Sequence, residues 1–132
     1  MKLFIILILS NIYIQTNAYA DHFPENDREV LSKIKTKSSK KAIALADYLV
    51  SINAIKYSTY WCPASYKQNR ILGKEAASKI IRIDCSENGS NNKRTQCKQR
   101  GVEFYPTWEI NGELFDGVKS LDELAELSGY KF

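Results

Sequence analysis

Residues 57–76 read YSTYWCPASYKQNRILGKEA: a short aromatic and hydroxyl-rich run, one cysteine at position 62, a proline, then a stretch with helical spacing. The pattern predicts a strand from about Ala54 to Thr59. A helix is expected from Cys62 to about Lys79, with Ile71, Leu72 and Ala76 turned inward. Pro63 suits a first helical turn, where its missing N–H has no helical partner. Cys62 therefore stands where a strand hands over to a helix N-terminus. Backbone N–H groups left unpaired at such a terminus favour negative charge, and sites of this kind lower a cysteine pKa of about 8.5 by one to several units. Three residues on, where a dithiol motif carries its second cysteine, stands Ser65. Cys62 is thus read as a reactive thiol, against the alternative of a buried remnant packed as a small hydrophobe.

Working outward, SSKKAIALADYLVSIN before the strand carries a capping serine, Ser38 or Ser39. It also has apolar residues Ala42, Leu45, Ala46 and Leu49 at i, i+3, i+4 and i+7, one face of a helix. The segment from Asp21 to about Lys37 is an arm or a short helix with Val30, Leu31 and Ile34 as its apolar group. After the central helix, KIIRID predicts a second strand ending at Asp84. A polar loop, SENGSNN, leads to a short helix around Lys93–Arg100. TWEINGELFDG is a hairpin, because Asn111-Gly112 supplies two residues tolerant of positive φ. Ser120 and Glu123 form a capping box for a last helix with Leu121, Leu124 and Leu127 as its stripe and Gly129 at its end. The strand–helix–strand unit makes the first two strands parallel by a right-handed crossover, and the hairpin adds an antiparallel pair. The expected architecture is α/β: a thioredoxin-like fold, with a four-stranded mixed sheet and helices on both faces.

Residues 1–20, MKLFIILILSNIYIQTNAYA, read as a signal peptide: a lysine, an apolar run, and a small-x-small ending at Ala18-Tyr19-Ala20. The run is broken by Ser10 and Asn11, short of the roughly twenty apolar residues of a membrane span. Removing 20 of 132 residues leaves 112, enough for one small domain. The expected organisation is therefore a leader, an arm over 21–37 and a free-standing thioredoxin-like domain over 38–132. Lys and Arg number 19 against 15 Asp and Glu, a net +4. Without Lys2 the balance is 18 against 15, or +3. The basic clusters, Lys33 to Lys41 and Lys93 to Arg100, are not interleaved with aromatics and read as solvated faces, so no nucleic-acid partner is expected. His22 is a tail residue, and one histidine with three separated cysteines lacks zinc-ligand spacing. Neither a metal nor a cofactor is expected, and the chain is expected to be a monomer. Asp47, Asp84 and Asp116 are read as surface or capping carboxylates.

Three cysteines in an exported chain suggest one pair and one free thiol, with three pairings open. FYPTWEI supplies the second element of the site. In the inferred fold the loop before Pro106 sits against the helix that begins at Cys62, and a cis Tyr105–Pro106 bond would leave backbone groups free to pair with an extended substrate. Tyr60, Trp61, Tyr105 and Thr107 are the expected walls of that groove, whereas Trp108, mid-strand, belongs in the core.

YWCPAS, GKEAA, IDCSENGS and GVEFYPTWEINGELFDGVKSLDELAELSGY together resemble the thioredoxin-like domain fused to bacterial and plant homologues of vitamin K epoxide reductase. The resemblance runs from about Ser38 to Tyr130. It implies thiol–disulfide exchange with newly exported proteins and electron transfer to a membrane oxidoreductase. It further implies Cys62 as the attacking thiol, Pro106 as a cis proline, and Cys85 with Cys97 as an additional disulfide. Periplasm and thylakoid lumen are the implied compartments. The family's usual Cys-Pro-His-Cys is here Cys62-Pro63-Ala64-Ser65, and the fused membrane helices are missing from the chain. A mixed disulfide at Cys62 then cannot be resolved within the motif. Isomerisation, deglutathionylation or holding a client remain, each completed by an outside thiol. Ser65 is expected to hydrogen-bond the thiolate. Cys85 and Cys97 read as a structural staple of a small exported domain. Two other readings stay open. One is a redox-inactive binding module. The other is a dithiol enzyme in which Cys85 resolves Cys62, since adjacent parallel strands lie only about 4.8 Å apart and both cysteines follow strands at one sheet edge.

Overall fold

The strand that leads to Cys62 lies inside the sheet, with a neighbour on each side. The computed structural model describes residues 31–87 and 93–132. The leader, His22 and the arm up to Val30 lie outside the described residues. The elements are α1 (Lys40–Ser51), β1 (Ile55–Ser58), α2 (Pro63–Leu72), α3 (Lys74–Lys79), β2 (Ile81–Asp84), α4 (Arg94–Arg100), β3 (Thr107–Ile110), β4 (Glu113–Asp116) and α5 (Leu121–Ser128). The sheet runs β2-β1-β3-β4. β1 pairs in parallel with β2, Lys56 opposite Arg82 and Ser58 opposite Asp84. It pairs antiparallel with β3, Lys56 opposite Trp108. The mixed four-stranded sheet is the one the element order implies.

Helices cover both faces unequally. Helices α1, α2, α3 and α5 pack on one face around Leu45, Leu49, Leu72, Trp108 and Leu124. Ile34 joins that core, with Leu31 against it. The other face carries Tyr57, Ile83 and Val102 together with Cys85 and with Cys97 of α4. The capping box at Ser120 and Glu123 is formed, and Asn111 and Gly112 both have positive φ in the two-residue turn between β3 and β4.

The single helix expected over 62–79 is instead two helices broken at Gly73, and the cause is a second strand of chain lying against it. Gly73 has φ 81° and ψ 167°, a conformation open essentially to glycine alone. A Cβ there would stand 2.6 Å from the backbone of Ser38. The contact lets residues 36–38 cap α3 from outside. Lys74 N–H donates to the Thr36 carbonyl at 2.9 Å, Ala76 N–H donates to Ser38 Oγ at 2.9 Å, and Ser38 N–H donates to the Glu75 carboxylate at 2.7 Å. The Ser38 N–H, followed by the backbone N–H of Glu75 itself, holds the Glu75 carboxyl below its ordinary range. Ser38 and Ser39 were both possible caps for one helix. Ser39 caps α1 through Ala42 N–H, and Ser38 caps α3.

Gly73→Ala is expected to lower stability by more than about 2 kcal/mol, since it meets both a forbidden conformation and a backbone clash. Gly101→Ala, at φ 86° with nothing within 4 Å, is expected to cost about 1 kcal/mol. Urea denaturation of both variants checks the contrast.

Candidate functional site

β1 ends at Ser58, and the chain rises through Thr59, Tyr60 and Trp61 to Cys62, the N-cap residue of α2. Its extended φ/ψ of −78° and 119° is the geometry of a residue half inside a helix. Cys62 is a free, half-buried thiol. Its S–H donates to the Tyr105 carbonyl across 3.7 Å, which aims the sulfur at the loop before β3. The Tyr105–Pro106 peptide is cis, and Gly117 N–H donates to the Pro106 carbonyl at 2.8 Å, tying that loop to the end of β4. Trp61 and Phe104, 60% and 58% exposed, leave apolar surface on the residues that immediately precede Cys62 and Tyr105. Tyr60 and Tyr105 are half-buried. Thr107 is fully buried; its hydroxyl donates to the Phe104 carbonyl at 2.7 Å and lies 3.0 Å from the Asp116 carboxylate, so it braces the loop from beneath.

Cys85 and Cys97 are joined, with Cα atoms 5.9 Å apart. Cys85 N–H donates to the Ser58 carbonyl at 2.8 Å, which fixes the disulfide beside the end of β1. Cys85 shares a cavity of about 360 Å³ with Thr59, Tyr60, Trp61, Ser86 and Tyr105, and the Arg94–Glu87 ion pair completes its lining. Cys85 thus stands at the same sheet edge as Cys62, and its sulfur is held by Cys97. Asp84 is not a surface carboxylate. It is buried and accepts from Ser86 N–H and Oγ–H at 2.9 and 2.6 Å, closing the turn after β2. Asp47 pairs with Lys79 at the surface. Among the described residues no three of His, Cys, Asp or Glu are grouped to hold a metal, and no helix is long and apolar enough to cross a membrane.

Ser65 is buried and its hydroxyl has no hydrogen-bond partner, including Cys62. It belongs to a face that the sequence reading missed. α2 buries Ser65, Gln68, Asn69 and Leu72, spaced i, i+3, i+4 and i+7. Gln68 Oε1 accepts from Trp108 Nε1–H at 3.1 Å and from Lys119 N–H at 2.8 Å, and its amide donates to the Lys119 carbonyl at 3.0 Å. Asn69 Oδ1 accepts from Lys56 Nζ. Lys56 is fully buried, and loss of water around its ammonium lowers its pKa from 10.5 to about 7. On the opposite face Tyr57 donates to the Glu109 carboxylate at 2.7 Å, and burial is the main cause that pushes its phenol up to about 12.

With a cysteine at a helix start against a cis proline, and β-α-β-α-β-β-α connectivity from β1 onward around a four-stranded sheet of this order, the architecture is complete. The chain has the thioredoxin-like fold. No family model matches it. It is similar to the thiol-disulfide oxidoreductase LTO1 of Arabidopsis thaliana, 37% identical over 103 residues that take in 75% of this chain. The chain spans 27% of that relative's length.

Two outcomes test the site's energetics. Because folded Lys56 loses its proton near pH 7 and an unfolded lysine near 10.5, the unfolded state binds more protons in between, and stability rises with pH there. Relative to Lys56→Met, the protein is expected to gain up to about 4 kcal/mol between pH 7 and 10, read from urea denaturation at each pH. Replacing Cys85 and Cys97 together by serine is expected to cost about 3 kcal/mol, measured the same way, because the loop closed by the disulfide no longer restricts the unfolded chain.

Proposed function

We propose that this domain carries out thiol–disulfide exchange with exported proteins through one thiol, Cys62. The observation that carries the reading is the pairing pattern. Cys85 and Cys97 hold each other, and the remaining cysteine is free at a helix start, facing a cis-proline loop with exposed apolar residues beside it. Similarity to part of a protein named as a thiol-disulfide oxidoreductase supports the same chemistry.

The Cys62 thiolate attacks one sulfur of a client disulfide. That S–S bond breaks, a Cys62–client bond forms, and the client's other sulfur leaves as a thiolate. Ser65 has no sulfur to take the next step, so a thiolate from the client or from a small external thiol attacks the mixed disulfide and expels the Cys62 thiolate. When the client's own thiolate resolves, its disulfides are rearranged with no net redox change. When a small thiol does so, the client leaves with one thiol and the small molecule is left as half of a disulfide. Tyr60, Trp61 and Tyr105 wall the groove for an extended segment, braced by Thr107. The proposed compartment is the periplasm or the thylakoid lumen, reached through the leader read over residues 1–20 and chosen on the family resemblance, and a separate membrane oxidoreductase of the vitamin K epoxide reductase type is the proposed partner.

A client protein with scrambled disulfides tests the reading on non-reducing gels. The natural chain is expected to form mixed disulfides that vanish on adding reductant, and Cys62→Ser none. Ser65→Cys, which supplies an internal resolving thiol, is expected to shorten their lifetime at least tenfold. Undiminished client binding by Cys62→Ser would instead mark a binding module without thiol chemistry.

A further inference from the structure

Two groups of cations that lie far apart in the chain meet on one face of the fold. Lys67 and Arg70 are exposed on the outer side of α2, spaced i and i+3. They lie opposite the buried row of Ser65, Gln68, Asn69 and Leu72. Lys74 follows at the start of α3 and is exposed as well. Its N–H donates to the Thr36 carbonyl at 2.9 Å, and Ala76 N–H donates to Ser38 Oγ at 2.9 Å. That clasp sets Lys35 and Lys37 beside Lys74, and Lys40 follows two residues after Ser38; all three are exposed. The sequence alone gives Lys33 to Lys41 as a solvated cluster by itself. The fold joins it to the cations of α2 and α3.

The joined surface is not neutralised. Among the described residues Lys41, Lys79, Arg94 and Arg100 each sit in an ion pair with a carboxylate. Lys35, Lys37, Lys40, Lys67, Arg70 and Lys74 do not. The Glu75 carboxylate, next to Lys74, is occupied by Ser38 N–H at 2.7 Å. Like charges gathered on one face repel, and a negative partner relieves the repulsion. The residue types narrow that partner. Five of the six are lysines, compact ammoniums on long flexible stems. Fixed carboxylates or phosphates in a pocket are matched better by the rigid fork of arginine, whereas mobile lysines suit diffuse negative charge. None of the six lines the cavity beside Cys85. They stand on the outer sides of two helices and a loop, where a broad, flat partner can reach all of them.

We infer that this face binds the surface of an anionic lipid bilayer. Lipid headgroups present the spread of negative charge that six unpaired, mobile cations can meet together without a fitted pocket. Each lysine or arginine held near such a surface strengthens the attraction about fivefold. The attraction acts within about a Debye length, so it is lost as salt rises. Cys62 is the N-cap of the same helix, about 7.5 Å along its axis from Lys67. Contact along α2 therefore holds the thiol close to the membrane, where it meets membrane-bound partners by diffusion in two dimensions. The inference goes beyond the exchange reading and does not rest on it.

The test is co-sedimentation of the purified protein with vesicles of phosphatidylcholine alone, or of phosphatidylcholine and phosphatidylglycerol in equal parts. At about 0.1 M salt the protein is expected to sediment with the mixed vesicles and not with the neutral ones. At about 1 M salt, where the Debye length falls to about 3 Å, it is expected to stay in solution. Lys67→Glu with Lys74→Glu is expected to lower the partition coefficient about twentyfold or more. Lys93→Glu with Lys98→Glu changes the net charge equally but alters α4, on the other face of the sheet, and is expected to lower it less than about threefold. Absence of binding to the mixed vesicles would overturn the inference, as would equal loss in the two variants, which reports net charge rather than a face. Binding that persists at the higher salt would also overturn it. So would retention on immobilised polyglutamate without vesicle binding, which assigns the face to an acidic protein. Vesicle binding needs no thiol chemistry, so failure of client capture leaves this result standing, and the reverse holds too.

Discussion

Helix α2 is fastened to the sheet by amide side chains as much as by apolar packing, and the site depends on that attachment. Gln68 takes the Trp108 indole and both backbone groups of Lys119, and Asn69 takes Lys56. These bonds join α2 to β1, to β3 and to the segment before α5, and each is directional. A helix held only by leucines can slide by a fraction of a turn at small cost. One whose buried amides must meet fixed partners loses a full desolvation penalty for each bond it gives up. The helix N-terminus, and Cys62 with it, is thereby set against the Tyr105 carbonyl.

The two faces of the sheet divide the work. The face under α4 is closed by a disulfide, suited to a small domain with limited apolar area. The face under α2 carries Lys56, Ser58, Ser65, Gln68 and Asn69 within the larger core. The unsatisfied Ser58 and Ser65 hydroxyls and the buried Lys56 all subtract from stability.

The order of elements was legible because it rests on local signals: an Asn-Gly turn, a capping box at Ser120, apolar spacing in α1, and one strand–helix–strand unit. Three features were not. The break at Gly73 depends on Ser38, thirty-five residues earlier, and no local pattern reports a contact of that range. The inner face of α2 has helical spacing at 65, 68, 69 and 72, but three of those four residues are polar, so a search for apolar periodicity passes over it. Lys56 and Ser58 look like the solvated positions of an alternating strand, and the helices on that face bury them instead. Cys62 itself was visible from its neighbours, because a helix start after a strand is a local feature. What surrounds it was not.

In the proposed function the fold makes Cys62 reactive. The direct measurement is its alkylation rate at pH 7 in the folded protein compared with the same chain in denaturant, with each cysteine read separately by mass spectrometry. Cys62 is expected to react faster folded than unfolded, while Cys85 and Cys97 stay unmodified until reductant is added. A Cys62 that reacts only once the chain is unfolded would contradict it.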